Sequence, residues 1–245
     1  MMKNYKLKIE YNGTNFSGWQ IQPNVPTVQI EITKSLKQIT GSEINLIGSG
    51  RTDSGVHALG QVANFQIDNE LDIRKAKHSL NSLLSKNIAI SEFEEVDVDF
   101  HSRFDAKLRS YLYIFTNNKS PFHNDYSYNY SPIFNLKIEM LNEISKNILG
   151  EHDFTSFSKK NTDTENMICA VSLAKWRKVK NQIVFRIDGN RFLHGMVRTI
   201  VGTVLEIAEK NKLNHEINTI IAAKNRDVAG RSVPAKGLFL LDVKY

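Results

Sequence analysis

The chain has 245 residues, 41% hydrophobic and 24% charged; this balance excludes a disordered or fibrous chain and gives length for one large domain or two small ones. Its single cysteine, Cys169, excludes an internal disulfide and thiolate-rich zinc clusters, and no apolar run approaches the roughly 20 residues of a membrane span. Lys and Arg outnumber Asp and Glu by 32 to 26, a net charge of +6 that suits an anionic partner such as nucleic acid. No long basic block occurs, so such a surface has to be assembled by folding. The start has no apolar stretch of a secretory signal, which makes a cytoplasmic protein the expectation.

The elements alternate. Lys6–Tyr11 reads as a strand, with Asn12-Gly13 as a turn. Val28, Ile32, Leu36 and Ile39 recur at helical spacing behind Thr27, a plausible N-cap. Ile44–Ile47 reads as a short strand, and Ala63, Phe65 and Ile67 alternate with polar residues in another. A helix over Ile73–Leu84 and a strand over Ile88–Phe93 complete a β-α-β-β-α-β order. In the second half, Leu108–Phe115 alternates as a strand, and Leu136–Leu149 reads as a helix closed by Gly150. Ile168–Val179 and Gln182–Ile187 pair as a hairpin around Lys180-Asn181. Phe192–Ala208 is a long apolar helix, His215–Ala223 a shorter one, and Leu238–Val243 the last strand. The expectation is an α+β protein of two ferredoxin-like halves with mixed or antiparallel sheets side by side. Residues 1–105 form the first half and 106–245 the second, and the cleft between them is the expected place for a site.

The densest run of unusual residues is Gly48-Ser49-Gly50-Arg51-Thr52-Asp53-Ser54-Gly55-Val56-His57-Ala58. It has neither the Gly-Lys-Ser/Thr of a phosphate-binding loop nor the Gly-x-Ser-x-Gly of a hydrolase elbow. Arg51 and Asp53 stand two apart, so in an extended loop they point the same way. The arginine can hold a carboxylate ionised or meet a phosphate, and an ionised Asp53 can attack an electrophilic carbon. The plainer reading is an Asx-turn with a surface ion pair. His57, between Val56 and Ala58, reads as a packed residue more readily than as a base. Tyr111 and Tyr113 share one strand face, either as a stacking platform for an unpaired base or as core. Arg198, inside an apolar helix, needs an anionic partner or a wet cleft, and Asp53 is the candidate partner. Glu151-His152-Asp153 lacks metal-ligand spacing and reads as a loop that starts or caps a helix.

Six separated blocks then resemble the tRNA pseudouridine synthase A family, in family order and over nearly the whole chain. They are Tyr11-Asn12-Gly13 with Phe16-Ser17-Gly18-Trp19-Gln20; Gly50–Ala58; Phe100-His101-Ser102-Arg103-Phe104 with Arg109-Ser110-Tyr111-Leu112-Tyr113, which resemble the family's central strand; Gly150–Phe157; Met196-Val197-Arg198; and Pro234-Ala235-Lys236-Gly237-Leu238 with Asp242–Tyr245. Ser54 stands where alanine is common and Ser110 where a second arginine is common.

The resemblance implies isomerisation of uridine to pseudouridine on the 3′ side of the tRNA anticodon stem-loop, at positions 38, 39 and 40. It also implies a homodimer of two-subdomain chains flanking a basic cleft, with no cofactor, no metal and no membrane. The family's nucleophile maps onto Asp53, its basic partner onto Arg198, its active-site tyrosine onto Tyr111, and the arginine that displaces the target base onto Arg51. The chemistry breaks the N-glycosidic bond, turns the uracil and rejoins it through carbon. One carboxylate suffices because uracil is both leaving group and returning nucleophile; attack at C1′, addition at C6 and proton abstraction towards a glycal all fit. A catalytically silent RNA-binding or RNA-folding protein on the same scaffold is the alternative, though it has no need of Asp53. A nucleoside or glycoside hydrolase needs a second acid, for which only Asp105 and Asp153 stand near the motifs.

Overall fold

The protein, described here by a computed structural model over residues 2–160, 164–211 and 216–245, is mixed α+β. Its chain forms two compact units: Met1–Lys107 with Leu240–Tyr245, and Leu108–Phe239.

In the first unit the order is β1 (Lys3–Tyr11), α1 (Val28–Thr40), β2 (Ile47–Gly48), β3 (His57–Ile67), α2 (Ile73–Leu83) and β4 (Ile88–Val96). β1 lies between β4 and β3, antiparallel to both, and β2 pairs antiparallel with β3. The part of the last strand that belongs here lies along the other edge of β3. The two-residue period of β1 sorts its side chains. Tyr5, Leu7, Ile9 and Tyr11 are buried, and Tyr5 meets Phe65 and Phe93 at ring distances of 5.6 and 5.7 Å. Lys6 and Lys8 point the other way, to Glu94 and Glu92 on β4. Thr27 caps α1 by accepting from the Ile30 N–H, and Gly41 ends it at φ +69°. Asp72 caps α2.

The second unit comprises β5 (Leu108–Thr116), β6 (Tyr128–Asn129), α3 (Ile138–Lys146), β7 (Gly150–Asp153), β8 (Ile168–Val179), β9 (Gln182–Gly189), α4 (Met196–Glu209) and α5 (Glu216–Ala223). Its strands run β5-β9-β8-β7, antiparallel throughout, with the short β6 parallel to β5. Trp176 is its largest fully buried side chain. It packs on Phe185 at 4.5 Å. Its indole N–H donates to Ser145 Oγ at 2.8 Å. Asn142 on α3 accepts from the Trp176 N–H and donates to its carbonyl, which fixes α3 to β8.

Several elements differ from their sequence-based extents for identifiable reasons. Ile44 and Leu46 are buried, but only Ile47–Gly48 joins a ladder. α3 starts at Ile138 and stops at Lys146, because Asn147, Ile148 and Leu149 donate three residues back in tightening turns. Gly150, at φ +99°, then opens β7. Residues 192–195 form a turn before α4, with Gly195 at φ +74°. The Phe100–Phe104 block is turns rather than strand, and β5 begins at Leu108. The expected start of the short helix at His215 lies outside the described residues; α5 begins at Glu216. No helix of the described residues is long and apolar enough to cross a membrane.

Candidate active site

In the first unit, Asp53 lies on a loop tied to its surroundings through the backbone. The loop leaves β2 with the Ser49 N–H bonded to Val62 O at 2.7 Å. Gln61, fully buried, accepts from Ser49 Oγ and donates to Gly50 O, at 2.6 and 3.0 Å. The next tie is to residues 12–19. Trp19 N–H donates to Thr52 O, Gly55 N–H to Phe16 O, and Ser54 Oγ to Phe16 O. The Tyr11 hydroxyl and Thr52 Oγ1 share a buried hydrogen bond of 2.8 Å. The Val56 N–H closes the turn on Asp53 O at 3.1 Å. His57 is buried and its Nδ1 accepts from the Gly13 N–H at 3.1 Å, so it pins the turn at Gly13.

Three glycines make this approach possible. A Cβ on Gly13 would lie 2.0 Å from Val56 O, one on Gly18 2.5 Å from Thr52 O, and one on Gly48 2.5 Å from the Trp19 indole. Gly18 also sits at φ +94°, where side chains are strained. Carbon chemistry by a carboxylate needs its oxygen held still against a substrate. The frame fixes the backbone on which Asp53 stands; Asp53 is half-buried, and Arg51, two residues away, is exposed.

In the second unit, Tyr111 is the fourth residue of β5 and only 9% exposed. The Tyr111 and Phe192 rings meet in a T-shaped contact at 5.2 Å and 85°, so the tyrosine ring is braced and little of it is open. Arg198 lies in the first turns of α4, half-buried, and its Nε donates to Val233 O at 2.7 Å. Val233 N–H returns a bond to Arg198 O. The adjoining carbonyl, Pro234 O, accepts from the Tyr113 hydroxyl at 2.7 Å. Burial pushes that hydroxyl well above the usual tyrosine range, against the opposing pull of the Arg198 guanidinium. Tyr113 is thus a neutral donor in the core, and the adjoining residues Val233 and Pro234 hold Arg198 and Tyr113 respectively.

Other candidates take plainer roles. Asp153 accepts from the Thr155 N–H and hydroxyl and pairs with Lys224 at 3.0 Å. His152 bonds Leu149 O at 2.9 Å. This run therefore builds β7 and the turn after it. Cys169 is buried, and burial pushes its thiol up to about 11, too high for a thiolate nucleophile at neutral pH. Ser110 is buried opposite Asp188 in the β5–β9 register, where Arg186 grips the Asp188 carboxylate through Nε and Nη2 at 2.9 and 2.8 Å.

The profile of one family, described as tRNA pseudouridine synthase, matches residues 8–105 and 144–245. The chain belongs to the tRNA pseudouridine synthase family. A protein of Clostridium acetobutylicum named tRNA pseudouridine synthase A is 43% identical over 244 residues, covering 100% of each chain. Proteins of the same name from Brachyspira hyodysenteriae and Bacteroides thetaiotaomicron are 41% and 40% identical. The first alignment covers 97% of this chain and 96% of the relative, the second 100% and 91%.

Gln61, Tyr11, Thr52 and Trp19 hold the Asp53 loop; in the sequence Tyr11, Thr52 and Trp19 stand out only as members of the family blocks, and Gln61 is not singled out at all. For Gln61 a signal existed. It pairs with Ile9 and so falls in the apolar register of β3, where an amide needs polar partners of its own. Gly18→Ala is expected to lower stability by about 1–3 kcal/mol and to slow turnover more than it weakens RNA binding. Urea unfolding and single-turnover assays check this.

Proposed function

We propose that this protein isomerises uridine to pseudouridine in tRNA, with Asp53 as nucleophile, Arg198 as its charge partner, and Arg51 and Tyr111 as substrate contacts. The observation that carries the reading is the end-to-end likeness to proteins named tRNA pseudouridine synthase A, joined to a half-buried carboxylate on a glycine-framed loop. The order β1-α1-β2-β3-α2-β4, with β4-β1-β3-β2 antiparallel pairing, supports a ferredoxin-like first half. β5, α3, β8, β9 and α4 follow the first five places of that order in the second, with β6 and β7 inserted between them.

The target uridine lies in a stem, so it has to be flipped out, at a cost of a few kcal/mol. In this reading Arg51 enters the vacated space and holds the backbone phosphate, where a bidentate guanidinium–phosphate contact is strong. The Tyr111 ring, steadied by Phe192, packs on the extruded uracil. Asp53 then acts on the sugar or ring, the glycosidic bond breaks, and the uracil turns and bonds through C5. As C5 bonds to the sugar the Asp53 carboxylate is freed, the C5 proton leaves to solvent and N1 takes one up, so product and substrate are isomers. Arg198 keeps the carboxylate ionised. Base and sugar stay together throughout, so water must be kept out.

The substrate positions proposed are those on the 3′ side of the anticodon stem-loop, and the working form a cytoplasmic homodimer. Tritium release from tRNA labelled at C5 of uridine tests the activity, and mapping pseudouridine in tRNA from cells lacking the protein tests the positions. Release by the wild-type protein and loss of anticodon-arm pseudouridine are expected. Absence of both contradicts the reading. Phosphate contacts also predict a steep fall of tRNA affinity with salt, on the order of 10³-fold or more between 50 and 200 mM if several phosphates are held. Filter binding across that range checks it.

A further inference from the structure

Phe104 is 76% exposed, and nothing in the catalytic reading uses it. Leaving a phenylalanine in water forgoes the gain its burial would bring. The loop holds it there by construction. Ser102 is fully buried; its N–H donates to Asn64 Oδ1 at 2.9 Å and its hydroxyl to Ile47 O at 2.6 Å. The Tyr245 hydroxyl donates to Ser102 O at 2.8 Å. His101 Nδ1 accepts the N–H groups of Arg103 and Phe104 at 3.1 and 3.3 Å. The Asp105 carboxylate is engaged by the His101 N–H at 2.8 Å. The exposed ring is therefore mounted on a fixed turn. The His101 ring packs on it at 4.3 Å and 35°, and the Arg103 guanidinium lies 5.7 Å over it.

Its mounting leads to the site. Ile47, whose carbonyl holds Ser102, is the first residue of β2, and β2 runs straight into the loop that carries Asp53. A rigid exposed aromatic ring beside a histidine ring and an arginine suits an unstacked base with its phosphate. When a nucleotide is flipped out, its neighbours lose a stacking partner.

We propose that Phe104 is a stacking site for an unpaired nucleotide of the tRNA next to the target uridine, with Arg103 on the adjoining phosphate. The proposal rests on the tRNA-modifying reading above. Its test uses Phe104→Ala and Phe104→Trp in the full-length protein. Phe104→Ala is expected to raise the tRNA Kd and KM by roughly 5- to 100-fold, with kcat within about threefold and urea unfolding unchanged. Phe104→Trp is expected to keep wild-type affinity and to gain fluorescence that tRNA quenches. Trp19 and Trp176 are 3% and 0% exposed, so the added signal reports position 104.

The proposal is overturned if Phe104→Ala binds tRNA as the wild type does and the Phe104→Trp signal ignores tRNA. It is also overturned if Phe104→Ala instead loses self-association by light scattering, which would give the ring to a second copy of the chain. A wild-type protein that forms no pseudouridine would count against the catalytic reading alone, because the fluorescence arm needs no turnover.

Discussion

Asp53→Asn is expected to abolish pseudouridine formation while leaving tRNA affinity within a few fold of the wild type. Asparagine keeps the shape of the side chain and removes the charge. The loop is tied through Thr52 O, Asp53 O, Gly50 O and Phe16 O, and these backbone bonds do not depend on the carboxylate. The fall in rate should be on the order of 10⁴-fold or more, as for loss of a principal catalytic group elsewhere. Single-turnover tritium release gives the rate and filter binding the affinity. Substantial turnover by Asp53→Asn would remove the nucleophile from the account. A parallel loss of binding would mean that the loop had been disturbed and the charge not isolated.

Gly202→Ala is the second large expectation, and its sign is opposite to the usual one. In an exposed helix interior, glycine to alanine stabilises by about 1 kcal/mol. Gly202 is buried in α4, and a Cβ there would lie 1.8 Å from Arg231 O. The segment it would push is held along α4 by several bonds. The Gly230 N–H donates to Thr203 Oγ1, Thr199 and Ser232 share a hydroxyl contact of 2.8 Å, and the Arg231 N–H donates to Glu206. Backbone against backbone cannot relax by a rotamer change, so Gly202→Ala should destabilise by about 1–3 kcal/mol. The same segment supplies Val233 O to Arg198 and Pro234 O to Tyr113, so turnover should fall along with stability. Urea unfolding together with kcat at a temperature where the variant is folded separates the two effects. An unchanged or raised midpoint would contradict the packing described.

How much of this was legible in the sequence follows from where its signals are local. α1 and α2 were, because caps and a helical period agree at Thr27 and across Ile73–Leu83. The hairpin of β8 and β9 was also legible, through long alternation on both sides of Lys180, which adopts φ +53°. β7 was not; four residues, Gly150–Asp153, are too few to show a period. Ile44 and Leu46 alternate like a strand, but their burial comes without a ladder partner. At the site, the Asp53 loop announced itself by glycine density. Its supports did not, because Trp19, Tyr11 and Gln61 meet the loop only after β1 and β3 pair. Asn64 gives the same lesson on the opposite face of β3: buried, it bonds Asn4 and the Ser102 N–H, a network invisible in any local window.

The account stands most directly on the fate of the uracil, and a nucleoside balance of tRNA incubated with the purified protein measures it. It predicts that each uridine lost appears as one pseudouridine, with no free uracil and no change of RNA mass, and that Asp53→Asn leaves the uridine untouched. Free uracil in the supernatant, or an unchanged nucleoside profile with the wild-type protein, would contradict it.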